Sequence, residues 1–149
     1  MDNRSIILQM KEVDHQIFKV VCAKYKAQLL DITPIQGRII MFIYQSVYEV
    51  CQKDVENHVA YNKSTISSIL DNMEKNSLIE RKCINGDLRK KMITLTPKAV
   101  EIVEILKKHG EYLDEKLITG ITAEETKIFC NVLNKIKNNI GRIENEKNI

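Results

Sequence analysis

The sequence predicts a mainly α-helical fold with one small β-hairpin, in the order α-α-α-α-β-β-α-α. Apolar residues recur at helical spacing over most of the 149 residues, while Gly and Pro number only five and two. This combination favours long helices with few turns. Residues 78–95 instead carry the pattern of two short strands joined at Asn85-Gly86, which is a strong hairpin signal. The length predicts one domain spanning residues 1–149.

The first two helices are predicted by periodicity and by capping residues. A first helix over about residues 5–30 follows from the apolar positions Ile6, Met10, Val13, Ile17, Val20 and Val21. A second helix starts after Thr33, with Pro34 at its first position and Gln36 completing a capping box. We expect this second helix to reach about residue 48.

Two further helices lead to the hairpin. A short third helix fits residues 52–59, and Asn62 is a suitable N-cap for a fourth. On the fourth helix the apolar residues Ile66, Ile69, Leu70 and Met73 share one side, which we expect to face the core. The outward side then presents Lys63, Ser64, Thr65, Ser67, Ser68 and Asn72.

The second half of the chain follows the same rules. Residues 78–84 and 91–95 are predicted to form the two strands of the hairpin. Thr96-Pro97 predicts the start of a fifth helix that reaches about residue 117. A capping box formed by Thr122 and Glu125 predicts the start of a sixth helix, to about residue 142.

Positive charge is concentrated on the hairpin. The net charge of the chain is only +3, but the segment from Arg81 to Lys91 has five basic residues and one acid, a net +4. The rest of the chain therefore carries −1. Such a concentration is expected where a protein contacts phosphate groups. A solvated surface hairpin has the same composition, so the charge alone does not decide between the two.

The fourth helix and the hairpin together favour binding to double-stranded DNA. Short polar side chains near a helix N-terminus can hydrogen-bond base edges and phosphates, although an ordinary amphipathic helix has the same pattern. Arg89 near the hairpin tip can enter a minor groove. Asp87 lies two residues from it and can orient the guanidinium. The alternative for this pair is a surface salt bridge of little energetic value.

In their order and spacing these residues resemble the MarR family of bacterial transcription regulators. The motifs that carry the resemblance are Ile32-Thr33 with Gln36, Lys63-Ser64-Thr65, Leu78-Ile79-x-Arg81, Asp87-x-Arg89 and Leu95-Thr96. Three positions depart from the pattern of the family. Ser68 stands where many members have Arg, and Ser77 and Ala60 stand where Gly is usual or frequent.

The resemblance implies a winged helix-turn-helix that binds DNA, with about residues 31–96 as the DNA-binding part. About residues 5–30 and 97–143 would form dimerisation helices. Lys63, Ser64, Thr65 and Ser68 would lie on the recognition helix, with Arg89 in the minor groove, Asp87 holding it, and Lys90 and Lys91 against phosphates. The family also implies a repressor of a pseudo-palindromic operator, regulated by a small-molecule effector in a cleft lined by the first, second and fifth helices.

A homodimer also follows from the terminal helices themselves. The fifth and sixth helices are so apolar that exposing them would be costly, so they either pack together or bury against a partner. Their apolar residues are Val100, Val103, Leu106, Leu113 and Leu117 on the fifth, and Phe129, Val132, Leu133, Ile136, Ile140 and Ile143 on the sixth. A symmetric dimer is the commonest way to bury such surfaces. It would recognise half-sites about 10 base pairs apart or a multiple of that.

The remaining residues predict no enzyme, cofactor or metal site. The cysteines, Cys22, Cys51, Cys83 and Cys130, form no C-x-x-C or common zinc pattern, and His15, His58 and His109 are isolated. The N-terminus lacks a signal peptide and no apolar run approaches membrane-spanning length, so we expect a cytoplasmic protein.

Cys22 is a candidate redox site, since peroxide-sensing MarR proteins keep a reactive Cys on the first helix near tyrosines, here Tyr25, Tyr44 and Tyr48. Another alternative function is protein–protein interaction through the winged helix, without DNA binding.

Overall fold

The element order expected from the sequence is confirmed. The computed structural model describes residues 5–28, 30–59, 61–84 and 87–146, with the backbone alone at residues 84 and 87–90. Its elements are α1 (Ile6–Ala27), α2 (Pro34–Gln45), α3 (Gln52–Val59), α4 (Lys63–Lys75), β1 (Ile79–Ile84), β2 (Asp87–Leu95), α5 (Pro97–Leu117) and α6 (Ala123–Glu146). The sequence thus specifies a mainly helical chain with one antiparallel hairpin.

The predicted helix starts are held by the capping side chains. The Thr33 backbone N–H donates to Gln36 Oε1 at 2.8 Å, and the Gln36 N–H donates back to Thr33 Oγ1 at 3.4 Å. A second reciprocal pair joins Thr122 and Glu125 at the start of α6. Asn62 Oδ1 accepts the Thr65 N–H at 2.8 Å at the start of α4. Each contact satisfies an N–H that has no partner inside its helix.

The second helix ends earlier than expected, at Gln45 instead of about residue 48. Ser46 has an extended conformation, and its hydroxyl donates to the Phe42 carbonyl at 2.7 Å. Beyond it the chain runs toward the hairpin, where the Ile93 N–H donates to the Val50 carbonyl at 2.8 Å and Cys51 forms a bridge with Met92. The helix therefore ends before the segment in which Val50 and Cys51 pair with β2.

The second strand begins earlier than expected, at Asp87 instead of residue 91. Antiparallel pairing runs from Ile79 opposite Leu95 to Ile84 opposite Asp87, with an irregularity between Cys83 and Ile84. The predicted turn at Asn85-Gly86 lies outside the described residues. The register shows that pairing extends the hairpin well beyond the apolar stretch on which the strand prediction rested.

The chain divides into two compact units, residues 1–109 and 110–149. The first unit contains a core of buried aliphatic residues from α2, α3, α4, the hairpin and the first half of α5, including Ile39, Ile40, Val55, Ile66, Leu70, Met73, Leu78, Ile79, Ile93 and Val103. The second unit contains the end of α5 and all of α6, in which no residue is buried. The division into a DNA-binding part and dimerisation helices stays a prediction.

Helix α4 ends in a left-handed cap at Ser77. Its φ is 56°, its N–H donates to the Glu74 carbonyl at 3.0 Å, and the Leu78 N–H donates to the Met73 carbonyl at 2.9 Å. These two bonds form a Schellman motif, whose left-handed position usually carries Gly. Ser77 is thus a position at which this chain departs from the MarR pattern and uses a residue that fits the backbone less well.

Replacing Ser77 with Gly should therefore raise the free energy of unfolding by about 1 kcal/mol, since a side chain in the left-handed region costs about 1–2 kcal/mol. Urea denaturation followed by circular dichroism, at a fixed protein concentration, measures the change. Ser77→Ala is the matched control and should give no gain, because Ala has the same strain. Equal stability of the Gly and Ala variants would contradict this account.

Candidate nucleic-acid interface

The fourth helix has an apolar side that packs on the core and a polar, largely exposed side in its N-terminal half. Ile66, Leu70 and Met73 are buried, and Ile69 is packed against the same core. On the other side, Lys63, Ser64 and Ser68 are exposed, and Thr65 and Ser67 are half-buried. Asn72 is exposed as well, so the structure places all six proposed residues on a helix whose apolar side is packed into the core.

The two exposed serines are already hydrogen-bonded along the helix. Ser64 Oγ donates to Asn62 Oδ1 at 2.8 Å, and Ser68 Oγ donates to the Ser64 carbonyl at 3.1 Å. Both hydroxyl groups donate their hydrogen in these bonds, and their oxygens can still accept a hydrogen bond. A hydroxyl arranged in this way is suited to accept from a base amino group, and less suited to donate to a phosphate.

Asn72, the sixth residue, has a structural contact that the sequence did not indicate. Its side-chain oxygen accepts from Gln36 Nε2 at 2.8 Å and from Asn76 Nδ2 at 3.1 Å. Gln36 is buried and also accepts from the Thr33 N–H. The hydrogen bonds therefore link the first turn of α2 to the C-terminal half of α4 and fix the orientation of that helix.

The hairpin places the wing residues on β2. Lys91 lies opposite Cys83 in the register and is exposed. Asp87, Arg89 and Lys90 belong to the described backbone of this strand, but their side chains lie outside the described residues. Their proposed contacts with DNA, including the Asp87–Arg89 pair, stay predictions.

Arg81 is a residue whose role the sequence analysis missed. It was counted with the basic segment, yet its guanidinium lies against two carboxylates of α4: Nη2 donates to Asp71 Oδ1 at 2.6 Å, and Nε donates to Glu74 Oε2 at 2.9 Å. The Arg81 backbone N–H also donates to Glu74 Oε1 at 3.2 Å. We refer to Asp71, Glu74 and Arg81 as the Arg81 cluster. The sequence could have indicated this pairing, because two acids three residues apart lie on the helix that precedes the motif Leu78-Ile79-x-Arg81.

The electrostatics of the Arg81 cluster match its geometry. The Arg81 side chain is only 15% exposed, whereas that of Asp71 is 61% exposed. The hydrogen bonds that Arg81 donates hold the pKa of Glu74 below its usual value. The bond to Glu74 raises the pKa of Arg81 most, and the bond to Asp71 raises it further. Glu74 and Arg81 are therefore both charged at neutral pH. The nearby ion pair between Lys82 and Glu80 is largely exposed, so it contributes little.

The region around Cys22 contains one of the three proposed tyrosines. Cys22 and Tyr25 are half-buried on α1, and burial, followed by the charge of Cys22, raises the pKa of the Tyr25 phenol. The Tyr25 ring lies 6.1 Å from the ring of His109. Tyr44 and Tyr48 line a different cleft, and Tyr48 lies beyond the end of α2, on which it was expected.

That cleft has a volume of about 520 Å³. Its lining comes from the end of α2, residues 46–50, strand β2 and Val100 of α5, whereas we expected the first, second and fifth helices. Lys107 lies beside it, with its ammonium 4.5 Å from the centre of the Tyr44 ring. A hydrogen bond from Lys107 to Glu104, and next one to Tyr44, raise the pKa of the lysine, so the group next to this cleft is a cation.

Comparison with known proteins agrees with this arrangement. No family model matches the chain. It is 24% identical over 143 residues to an uncharacterised helix-turn-helix-type transcriptional regulator, YdgJ, of Bacillus subtilis, covering 96% of this chain and 84% of YdgJ. It is also 24% identical to the transcriptional regulator HosA of Escherichia coli, covering 83% of this chain and 90% of HosA.

Solved structures give the same fold. A MarR protein from Peptoclostridium difficile superimposes with a TM-score of 0.82 at 19% identity, covering 93% of this chain and 88% of that protein. The chain has the MarR fold. The Staphylococcus aureus MepR–DNA complex has a TM-score of 0.81 at 23% identity and covers 93% of this chain and 99% of MepR. The resemblance of the sequence to the MarR family is thereby confirmed.

In the part of the chain that the structure describes, no helix combines the length and apolarity that a membrane span needs. Within the same ranges, no group of three or more His, Cys, Asp or Glu side chains is placed to hold a metal ion.

Proposed function

We propose that this chain is a sequence-specific, double-stranded DNA-binding transcriptional regulator. The observation that supports the proposal is the burial of one side of α4 and the exposure of the other. Its apolar side is completely buried at Ile66, Leu70 and Met73, while Lys63, Ser64 and Ser68 are exposed at its N-terminal half. A recognition helix needs this combination, because the N-terminal residues must reach base edges without the helix moving. The MepR–DNA complex has the same fold with DNA bound.

A gel-shift titration with DNA that flanks the chain's own gene tests this function. At about 150 mM salt, we expect affinity for that DNA to exceed affinity for random DNA of equal length by about a thousandfold or more. Equal affinity for the two DNAs would contradict sequence-specific regulation. Absence of binding to both would favour the alternative of a protein–protein interaction module.

Replacing Arg89 with Ala should weaken operator binding about 10- to 100-fold, since one good side-chain contact in a groove contributes about 1–3 kcal/mol. Fluorescence anisotropy with labelled operator measures the change. Arg142→Ala is the matched control, because it removes the same charge from α6, far along the chain from α4 and the hairpin. If Arg89→Ala and Arg142→Ala bind the operator equally well, the wing does not contribute to recognition.

A homodimer is the form in which we expect the chain to act. On α6, Phe129 is 61% exposed and Ile143 is 53% exposed, and α1 leaves Ile6, Ile7 and Leu8 at least 60% exposed. Surfaces of this kind favour association because burying them releases water. Sedimentation equilibrium should give twice the mass of the chain, and Phe129→Asp should shift the equilibrium toward one chain. A wild-type monomer at the concentrations that bind DNA would contradict the dimer.

Repression controlled by a small-molecule effector is the finer form of this proposal. A bound dimer at a promoter blocks transcription, so deletion of the gene should raise expression from its operator. The cleft beside Tyr44 has a volume in the range of small-molecule sites. A compound that binds there should raise the Tm of the wild type and lower its DNA affinity. Val100→Trp, which fills the cleft, should abolish both effects; persistence of both would place the effector elsewhere.

Redox regulation through Cys22 is a second candidate, and the place of this half-buried thiol on α1, three residues before the half-buried Tyr25, favours it. Peroxide would oxidise the Cys22 thiolate to a sulfenic acid, with the peroxide O–O bond broken and water or hydroxide released. Peroxide should then release DNA from the wild type and leave Cys22→Ser bound. The same response from Cys83→Ser and from Cys22→Ser would rule out a special role for Cys22.

A further inference from the structure

The basic segment of the hairpin has less charge available for DNA than its composition suggests. Arg81 is one of its five basic residues, but its guanidinium is 15% exposed and donates to the carboxylates of Asp71 and Glu74. A charge enclosed in this way is compensated inside the protein. An influence of Arg81 on DNA binding can therefore act through those two carboxylates.

Asp71 lies on the side of α4 that faces DNA in the proposed function. It follows Ser68 by three residues and Ser67 by four, which puts all three on one side of the helix. The Asp71 side chain is 61% exposed, and that of Glu74 is 41% exposed. A carboxylate at this place would repel the phosphates beside the groove that α4 enters, unless a positive group neutralises it.

We propose that Arg81 is a positioning residue for DNA binding, which reduces the negative charge of Asp71 and Glu74 on the recognition helix from −2 to a net −1 and fastens strand β1 to that helix. This inference rests on the proposed function. Glu74 accepts from both the Arg81 side chain and the Arg81 backbone N–H, so one carboxylate fixes the strand and the guanidinium together. The cluster sets the charge of the surface between the recognition helix and the wing.

The test is a rescue experiment on operator affinity, measured by fluorescence anisotropy on folded dimers. Arg81→Ala exposes two uncompensated carboxylates and should weaken binding about tenfold or more, as expected for like charges brought together. Adding Asp71→Asn and Glu74→Gln in that background should restore most of the affinity. In the wild-type background the same two substitutions change the charge of the cluster from −1 to +1, so they should not reproduce the loss of affinity caused by Arg81→Ala.

Lys82→Ala is the matched control. It removes the same charge from the next residue of β1, where the lysine is 66% exposed and pairs with Glu80. Its effect on affinity should not be rescued by Asp71→Asn with Glu74→Gln. Arg81→Lys should keep most of the affinity because it keeps the charge.

The outcomes separate this inference from the proposed function. If the wild type does not prefer its operator over random DNA, the proposed function fails. If the wild type does prefer it, two results would overturn the role of Arg81. One is unchanged affinity of Arg81→Ala. The other is a loss that Asp71→Asn with Glu74→Gln fails to rescue, as expected if Arg81 contacted phosphate directly or only supported the fold.

Discussion

Replacing Leu70 with Ala is expected to lower the free energy of unfolding by about 2–5 kcal/mol. Leu70 has no exposed surface, and it lies in the middle of α4 between the buried residues Ile66 and Met73. Removing most of its side chain loses apolar burial and leaves a cavity that a tightly packed core closes only in part. A loss of this size is a large share of the stability of a small domain.

Urea denaturation at fixed protein concentration measures the effect, because dimerisation would make stability depend on concentration. Ser68→Ala is the matched control on the same helix. Ser68 is exposed and its hydroxyl bonds only within the helix, so its removal should change stability by less than about 0.5 kcal/mol. A Leu70→Ala variant as stable as Ser68→Ala would mean that α4 does not pack on the core described here.

The elements that the sequence predicted correctly are those specified by near neighbours. The capping boxes at Thr33–Gln36 and Thr122–Glu125 and the cap at Asn62 each use residues three apart, so the sequence alone contains both partners. Helix periodicity is local in the same sense. Both kinds of signal therefore located the helix starts to within about one residue of the structure.

What the sequence missed depends on partners far apart in the chain. Helix α2 ends early because Val50 pairs with Ile93, and Asn72 is held by Gln36, 36 residues before it. Arg81 was counted with the basic segment because its partners, seven and ten residues away, lie on another element. Charge counting treats each residue as independent, whereas the fold decides which charges compensate each other.

A second large change in the free energy of unfolding is expected from a substitution at Gly37, where α1 contacts α2. A Cβ atom at this position would lie 2.5 Å from Tyr25 Oη and 3.1 Å from the ring carbon Cε2. The absence of a side chain at Gly37 is thus what allows the Tyr25 ring to lie directly on α2. Tyr25 is a residue of α1 that packs against the core of the first unit.

Gly37→Ala should therefore lower the free energy of unfolding by about 1–3 kcal/mol through overpacking, although Gly→Ala inside a helix normally stabilises by about 1 kcal/mol. The sign should reverse in a Tyr25→Ala background, where the added methyl meets no ring. Gly110→Ala is the matched control: a Cβ atom there, in the middle of α5, has no described neighbour within 4 Å, so the substitution should stabilise.

Comparing the Gly37 substitution in the two backgrounds isolates the contact, because any effect of Ala on the helix itself cancels between them. A coupling of at least about 1 kcal/mol between positions 25 and 37 is expected in urea denaturation. If Gly37→Ala stabilises the wild type as much as Gly110→Ala does, the Tyr25 ring does not rest on α2. In that case α1 is not fixed to the core through this contact, and a signal from Cys22 would need another path to α4.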